Sequence, residues 1–124
     1  MKERDLQKAI LDYLNALEGC KAINLAISPE MEVGTPDIVA SMHGFALFIE
    51  VKTPQGDLSR IQQRRIQQWQ EADALVLVLR EQEAAFQMLA RLNTLTQDTQ
   101  ATLVQLRHRL ARSRQQHSTE ETDA

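Results

Sequence analysis

The chain has 124 residues, a length that suits one domain built around one hydrophobic core. Apolar residues make up 43% of it, which is too many for general disorder, and aromatic residues only 4%, so aliphatic side chains must fill the core. The net charge of -3 argues against a uniformly basic nucleic-acid-binding protein, although arginines cluster in the middle of the chain and again near its end.

The sequence carries no signal for secretion or for membrane insertion. Its first residues are charged and lack the apolar core of a signal peptide, and the longest apolar run, Ala74–Leu79, is too short to span a bilayer. The single cysteine, Cys20, excludes an intrachain disulfide and fits a reducing compartment. We therefore expect a soluble cytoplasmic protein without a membrane partner.

Apolar side chains at helical spacing predict an amphipathic first helix over residues 3–18, which Gly19 is well placed to end. The short apolar segment Ala22–Ile27 predicts a strand. The following residues, 28–35, include a proline and a glycine and therefore predict a loop. A second strand is expected over Asp37–Ser41.

His43 and Gly44 predict the turn that leads into a third strand, Phe45–Lys52. Side chains alternate along this strand, so its two faces differ in character. One face carries Leu47, Ile49 and Val51, and the other carries Phe48, Glu50 and Lys52. His43 itself is expected to be a turn residue only.

A helix, a strand and another helix are expected to follow. Ser59 opens a helix that runs to about Glu71, and Ser59 and Gln62 have the spacing of a capping box. The run Leu75–Leu79, rich in Val and Leu, is typical of a strand buried on both faces. A helix over Glu83–Leu92 comes next. Because a helix between two strands predicts a parallel crossover, the pattern indicates an α/β sandwich.

Composition changes after this last helix. Residues 94–102 are rich in threonine and glutamine, and Leu103, Leu106 and Leu110 form a narrow stripe at helical spacing. We therefore expect a domain over residues 1–92, an accessory helical segment over 93–112 and a disordered polar tail over 113–124.

Two short pieces carry the candidate chemistry, Gly34-Thr35-Pro36-Asp37 and Glu50-Val51-Lys52. Glu50 and Lys52 emerge on one face of a strand, and pairing with the strand after Asp37 would bring a second carboxylate beside them. Such oxygen ligands suit a hard divalent cation like magnesium. The Glu-x-Lys pattern alone is common on solvated sheet faces, and the upstream Pro36-Asp37 favours the functional interpretation.

These pieces, in this order, resemble the VRR-NUC family of the PD-(D/E)xK nuclease superfamily. The resemblance covers residues 3 to about 80, and it rests on an acidic residue that opens the first helix and on three ordered motifs. The motifs are Gly34-x-Pro36-Asp37, Phe48-Ile49-Glu50-Val51-Lys52 and Gly56-x-Leu58-Ser59-x-x-Gln62. The chain departs from the family at Ala72-Asp73-Ala74, where a turn glycine usually precedes the last strand.

The resemblance implies a restriction-endonuclease-like α/β core of order α-β-β-β-α-β, here with an extra C-terminal helix. It also implies metal-dependent hydrolysis of DNA phosphodiester bonds. Asp37 and Glu50 would bind the metal directly with the Val51 carbonyl, and Glu3 would reach it through water. The cofactor would be magnesium, with manganese able to substitute.

The resemblance further implies that Lys52 orients or helps deprotonate the attacking water, and that Gln62 helps position Lys52 or the phosphate. Gln62 is also the capping-box partner of Ser59, although it shares a helix face with Trp69 that would turn it toward the sheet. Glu3 sits in a first helical turn, where the helix dipole favours an acid, so a structural explanation of Glu3 stays open beside the catalytic one.

We expect an endonuclease that acts on DNA and is selective for its structure, such as branched or junction DNA. Arg60, Arg64 and Arg65 are the first candidates for phosphate contacts and the cluster Arg107–Arg114 the second, although helix arginines usually form a solvated face. Cutting both strands of a junction needs two sites, which suggests a homodimer. The alternatives are a non-catalytic nucleic-acid-binding module of the same fold and a partner-binding protein that acts through the leucine stripe.

Overall fold

Helices and strands follow one another in the predicted order. The computed structural model describes residues 1–25 and 33–123, with side chains described as far as His117. The elements are α1 (Glu3–Ala16), β1 (Cys20–Asn24), β2 (Ile38–Met42), β3 (Phe45–Val51), α2 (Arg60–Glu71), β4 (Leu75–Leu79) and α3 (Gln82–Asp123). The predicted α/β class with an extra C-terminal helix is therefore confirmed.

The described strands form one sheet in the order β1-β2-β3-β4. The pairs β1–β2 and β2–β3 are antiparallel, whereas β3 and β4 run parallel and are joined through α2. This arrangement confirms the parallel crossover that a helix between two strands predicts. The carboxyl ends of β3 and β4 therefore lie side by side, at the edge of the sheet where β2 begins.

The helix α1 covers one face of the sheet. Its side chains Leu6, Ile10 and Leu14 pack with the inward-facing residues of the strands, among them Ile38 and Ile49, and none of these five is more than 2% exposed. Burying one such side chain contributes about 1.5–3 kcal/mol. The amphipathic pattern of α1 thus supplies one wall of the core, as its apolar spacing predicts.

The helix α2 lies on the opposite face. Its residue Trp69 stacks on Phe48 of β3, with ring centroids 4.6 Å apart, and Ile66 is 8% exposed. Phe48 therefore faces α2, while Ile49 and Val51 pack in the core beneath α1. The alternation predicted for β3 is confirmed, and the residues that alternate with Ile49 and Val51 face α2.

A two-residue turn joins β2 to β3. His43 has φ 51° and Gly44 has φ 87°, and they connect the paired residues Met42 and Phe45. Positive φ at both positions matches the right-handed twist of a tight hairpin, so His43 is a turn residue as predicted. Because a tight turn fixes the register, every later pair of the two strands is set by these two residues.

Two strands differ from their predicted form. The strand predicted over Ala22–Ile27 is β1, Cys20–Asn24, and the end of the predicted range and most of the predicted loop lie outside the described residues. The run Leu75–Leu79, predicted to be buried on both faces, is an edge strand in which Leu75 is 41% exposed. Whether an apolar run is a central strand or an edge strand depends on the position of the strand in the sheet, which is a long-range property.

The helix α3 is longer than the predicted helix Glu83–Leu92. It continues through the predicted accessory segment and through the tail to Asp123, where the sequence predicts disorder. No proline or glycine interrupts this stretch, and Thr96 donates its hydroxyl hydrogen to the Leu92 carbonyl at 2.7 Å, so the threonines are compatible with helix. The division of the chain near residue 93 stays a prediction.

The hydropathy of the helices shows whether any of them could cross a membrane. Within residues 1–25 and 33–123, no helix combines the length and the apolar character that crossing a bilayer requires. The length of α3 therefore does not make it a membrane span.

The turn between α2 and β4 shows how the chain replaces the glycine that the family usually has. Asp73 has φ 64°, and its N–H donates to the Gln70 carbonyl at 3.0 Å. The N–H of Ala74 donates to the Trp69 carbonyl at 3.0 Å, which completes a Schellman end to the helix. Asp73 therefore takes the left-handed conformation that favours glycine.

Replacing Asp73 with glycine should therefore stabilise the fold. We expect Asp73→Gly to raise the free energy of unfolding by about 0.5–1 kcal/mol, because glycine adopts this conformation without the steric cost of a Cβ atom. Asp73→Ala, which keeps the Cβ atom and loses the polar side chain, should lower it. Urea unfolding of the three proteins measures both changes, and a glycine variant less stable than the wild type would contradict the expectation.

Candidate active site

The hairpin register brings two carboxylates together. Ile38 pairs with Ile49, so the preceding residue, Asp37, stands opposite Glu50 on the same face of the sheet. The Val51 N–H donates to Asp37 Oδ2 at 2.8 Å, and the Asp37 carboxylate lies within hydrogen-bonding reach of Glu50. The convergence of the two predicted metal ligands thus follows from strand pairing.

Glu50 is the buried member of this pair, with 2% of its surface exposed. Burial and, after it, the negative charge of Asp37 raise the pKa of Glu50 from 4.5 to about 7, against the opposing effect of the Lys52 ammonium. The charge of Glu3 adds a smaller upward contribution to the same pKa. Without a cation, the site therefore carries less negative charge than two ordinary carboxylates.

Lys52 lies beside Glu50 at the end of β3. Its Nζ is 4.0 Å from Glu50 Oε1, its side chain is 16% exposed, and its N–H donates to the Leu79 carbonyl of β4 at 3.1 Å. The ammonium is therefore held between a buried carboxylate and solvent. A group in this position can contact a ligand that approaches Glu50 from outside.

Gln62 forms the predicted helix cap and also contacts Glu50, a residue that the sequence analysis did not pair with it. Its Oε1 accepts the Ser59 N–H at 2.9 Å, and the Ser59 Oγ accepts the Gln62 N–H at 3.1 Å, so the predicted capping box is formed. Its Nε2 donates to Glu50 Oε1 at 3.0 Å. The helix cap thus orients the amide that holds one oxygen of Glu50.

Glu3 lies partly buried in the first turn of α1. Its carboxylate is close enough to raise the pKa of Glu50, and it lines a cavity of about 220 Å³ together with Thr53 and Arg80. The structure therefore brings Glu3 to the end of the sheet where Asp37 and Glu50 lie. This position fits either a water-mediated role or a helix-terminal one.

Arg80 is a residue that the sequence analysis missed. Its Nη1 donates to the carbonyls of Thr53 and Gly56, in the loop that joins β3 to α2. It therefore fixes the loop that separates Lys52 from Gln62. No motif of the resemblance contains Arg80, and its place directly after an apolar strand, level with Lys52, is the signal that could have found it.

The arginines of α2 are not brought to the carboxylate pair. Arg60 and Arg64 are exposed and lie one turn apart, whereas Gln62, two residues from each, points toward the sheet. Arg65 is partly buried, and its Nε donates to the Val33 carbonyl at 3.2 Å. Arg60 and Arg64 thus face away from Glu50, and Arg65 serves partly to hold the loop before β2.

The donor set suits a hydrated divalent cation. Among the described residues, no group of three or more His, Cys, Asp and Glu side chains is arranged to hold a metal. Asp37 and Glu50 nevertheless provide two neighbouring carboxylates, one of them buried with a raised pKa, and a cation would offset the repulsion between them. Magnesium commonly takes only one or two carboxylates and keeps several waters, so two are sufficient.

Removing the Glu50 carboxyl should flatten the pH dependence of stability in the metal-free protein. The native state keeps the Glu50 proton up to a pKa of about 7, whereas the ordinary value is 4.5. The free energy of unfolding should therefore fall as pH rises through this interval, by up to roughly 3 kcal/mol, and then level off.

Urea unfolding in EDTA at about pH 5 and about pH 8 measures this dependence. We expect Glu50→Gln to lose most of the difference between the two values. The matched control, Glu18→Gln, removes an exposed carboxyl and should retain the wild-type difference. An equal pH dependence in the wild type and Glu50→Gln would contradict the burial of a protonated Glu50.

Comparison with known sequences identifies no relative. No protein-family model matches the chain, and no curated protein matches it either. The chain does, however, resemble solved structures in its fold.

Two solved structures described as a VRR_NUC domain and a VRR_NUC domain protein match the fold. The first has a TM-score of 0.63 at 23% identity and covers 71% of this chain and 94% of its own. The second has a TM-score of 0.62 at 12% identity and covers 73% of this chain and 86% of its own.

A looser match is Hjc of Archaeoglobus fulgidus, a Holliday junction resolvase, at a TM-score of 0.43 and 28% identity over 64% of this chain and 63% of that one. That score is too low to show a shared fold. The two VRR_NUC matches, with TM-scores of 0.63 and 0.62, do show a shared fold. The chain therefore contains a domain with the VRR_NUC fold, as its sequence resemblance predicts.

Proposed function

We propose that the chain is a VRR-NUC nuclease, a metal-dependent endonuclease that hydrolyses phosphodiester bonds of DNA. The observation that carries this proposal is the pairing that places Asp37 opposite the buried Glu50, with Lys52 Nζ 4.0 Å from Glu50 Oε1, in a VRR_NUC fold. Burying a carboxylate against a second one costs stability, so a structural role does not explain the arrangement.

The metal site would use the residues that already converge. Asp37 and Glu50 would bind magnesium or manganese directly with the Val51 carbonyl, and Glu3 would contribute through water. When bound, the cation would polarise the scissile phosphate and lower the pKa of its bound water.

The chain's own residues would hold this site in a fixed geometry. The Val51 N–H orients the Asp37 carboxylate, and the Gln62 amide orients Glu50 through Oε1. Lys52 lies where it could donate to the attacking water or to a phosphate oxygen. Because each of these groups is positioned before substrate arrives, little reorganisation is needed at the moment of reaction.

The substrate class rests on the family resemblance. It makes DNA the expected polymer and branched DNA the first structure to test, with a homodimer as the expected assembly for paired cuts. Exposed Arg60 and Arg64 remain candidates for contacts to phosphates away from the scissile one. Such contacts would make binding weaker as the salt concentration rises.

A non-catalytic nucleic-acid-binding module of the same fold is the competing function. It would bind DNA without using the carboxylate pair and would not need Lys52. Cleavage measured with and without a divalent cation separates the two functions.

We expect the wild type to cleave DNA in magnesium and not in EDTA. Four-way junction, flap, nicked and plain duplex substrates should be compared in one assay. Asp37→Asn, Glu50→Gln and Lys52→Met should each lower the cleavage rate by about 100-fold or more, because each removes a group at the reacting centre. Asp57→Asn is the matched control, since it removes an exposed carboxylate from the β3–α2 loop.

The control should retain the wild-type rate. Undiminished cleavage by the Asp37, Glu50 or Lys52 variants would show that the activity arises elsewhere. Metal-independent DNA binding without cleavage of any substrate would favour the non-catalytic module.

The two roles of Gln62 can be separated by a pair of variants. Ser59→Ala and Gln62→Met should each lower the free energy of unfolding by about 1 kcal/mol, because each breaks the capping box. Only Gln62→Met removes the donor to Glu50, so only this variant should also lower kcat, by about tenfold. Equal losses of kcat in both variants would mean that Gln62 acts through the helix cap alone.

A further inference from the structure

The helix α3 has an inner part that packs on the domain and an outer part that does not. In the inner part Ala85, Leu89 and Thr96 are buried. In the outer part, residues 101–117, every side chain is exposed. We call residues 101–117 the outer α3; at 1.5 Å per residue it extends about 25 Å beyond the domain.

One apolar seam runs through both parts. It is formed by positions that alternate at spacings of four and three residues: Ala85, Leu89, Leu92, Thr96, Thr99, Leu103, Leu106 and Leu110. This is the spacing of the a and d positions of a heptad repeat. Ala85 and Leu89 belong to the core, Leu92 packs against it and Thr96 is buried, whereas Leu103, Leu106 and Leu110 are 37%, 46% and 59% exposed. The helix face that the domain covers therefore continues past it without a cover.

An exposed apolar seam at heptad spacing is suited to packing against another helix. A helical stretch of this length is marginal alone, and its stability comes from packing of its apolar face. Leucines at a and d positions insert into the facing side chains of a second helix. The three exposed leucines thus define a docking surface about one heptad long.

Arginines border this surface on both sides. With the leucines at a and d, Arg107 and Arg114 occupy e positions and Arg109 occupies a g position. No Asp or Glu occurs between Asp98 and Glu120. The ion pairs recorded among the described side chains do not involve these arginines. The surface is therefore positively charged on both flanks.

This charge opposes a second copy of the chain as the occupant. In a parallel pair, Arg109 of one helix would face Arg114 of the other, since g positions face e positions of the next heptad. In an antiparallel pair that packs Leu106 against Leu110 of the other helix, e positions face e positions, so Arg107 would meet the other Arg107. Like charges repel in both orientations.

The position of the outer α3 also separates it from nucleic acid at the catalytic end. The helix starts at Gln82 beside β4 and passes the hairpin turn at the far end of the sheet, where Asn93 Oδ1 lies 2.8 Å from His43 Nε2. Arg107 therefore lies about 37 Å along the helix from Gln82. The arginines point to both sides of a leucine seam, and DNA phosphates would leave that seam uncovered.

We propose that the outer α3 binds an amphipathic helix of a partner protein, with apolar a and d positions and glutamate or aspartate at e and g. The leucine seam supplies the contact area, and the flanking arginines select an acidic partner against a basic one. This inference does not rest on the proposed nuclease activity. It assigns to the chain a surface through which the domain can be delivered to a complex.

The test uses the full chain and two synthetic helices of about four heptads with leucine at a and d. One carries glutamate at e and g, and the other carries lysine. Fluorescence anisotropy and light scattering should show one acidic helix bound per chain, no binding of the basic helix, and the same oligomeric state for the free wild type and the free Leu106→Gln variant. Leu106→Gln should weaken the complex by at least about tenfold.

Charge reversal supplies the matched control. Arg109→Glu combined with Arg114→Glu should lose the acidic helix and gain the basic one, because both changes lie beside the seam. Arg112→Glu makes the same change at an outer position and should bind the acidic helix within about threefold of the wild type. Preference for the acidic helix that survives the double reversal would overturn the proposal.

Other occupants give different results. Self-association that Leu106→Gln abolishes would identify a second copy and overturn the proposal. Binding of duplex DNA or anionic vesicles that requires the arginines but tolerates Leu106→Gln, with no acidic-helix complex, would overturn it as well. Each result is independent of whether the protein cleaves DNA, so failure here and failure of the proposed nuclease function remain distinguishable.

Discussion

The position of Asp37 opposite Glu50 depends on the register of the β2–β3 hairpin. A two-residue turn with positive φ at His43 and Gly44 pairs Met42 with Phe45, and the same register places Asp37 opposite Glu50. A slip of one residue would turn one of these side chains to the α1 face of the sheet. The approach of the two carboxylates is thus determined by the turn residues His43 and Gly44, which lie at the other end of the hairpin.

The pairing of these carboxylates also carries a cost. Burial and, after it, the charge of Asp37 raise the pKa of Glu50 to about 7, so the metal-free fold is destabilised where both groups are ionised. Lys52 and Gln62, which both lie beside Glu50 Oε1, offset part of this cost. A cation bound between the carboxylates would offset the rest, which links binding at this site to stability.

Local sequence patterns predict most of this architecture, but they do not predict the features that depend on residues distant in sequence. Alternation on β3 predicted which face carries Glu50, and the spacing of Ser59 and Gln62 predicted the helix cap, because both are set by near neighbours. The edge position of β4 depends on the order of strands, which the apolar run alone does not encode. The role of Arg80 depends on a loop that is distant in sequence, and the extent of α3 depends on the absence of any residue that would end it.

The carboxylate pair lies at one end of the sheet, and the outer α3 extends beyond the other end. We propose that Asp37 and Glu50 form one divalent-cation site at the first end. Calorimetric titration of manganese at about pH 8, above the pKa of Glu50, tests it most directly. We expect one ion per chain, bound at least about tenfold more weakly by Asp37→Asn. Absence of binding, or equal affinity in the wild type and Asp37→Asn, would contradict the account.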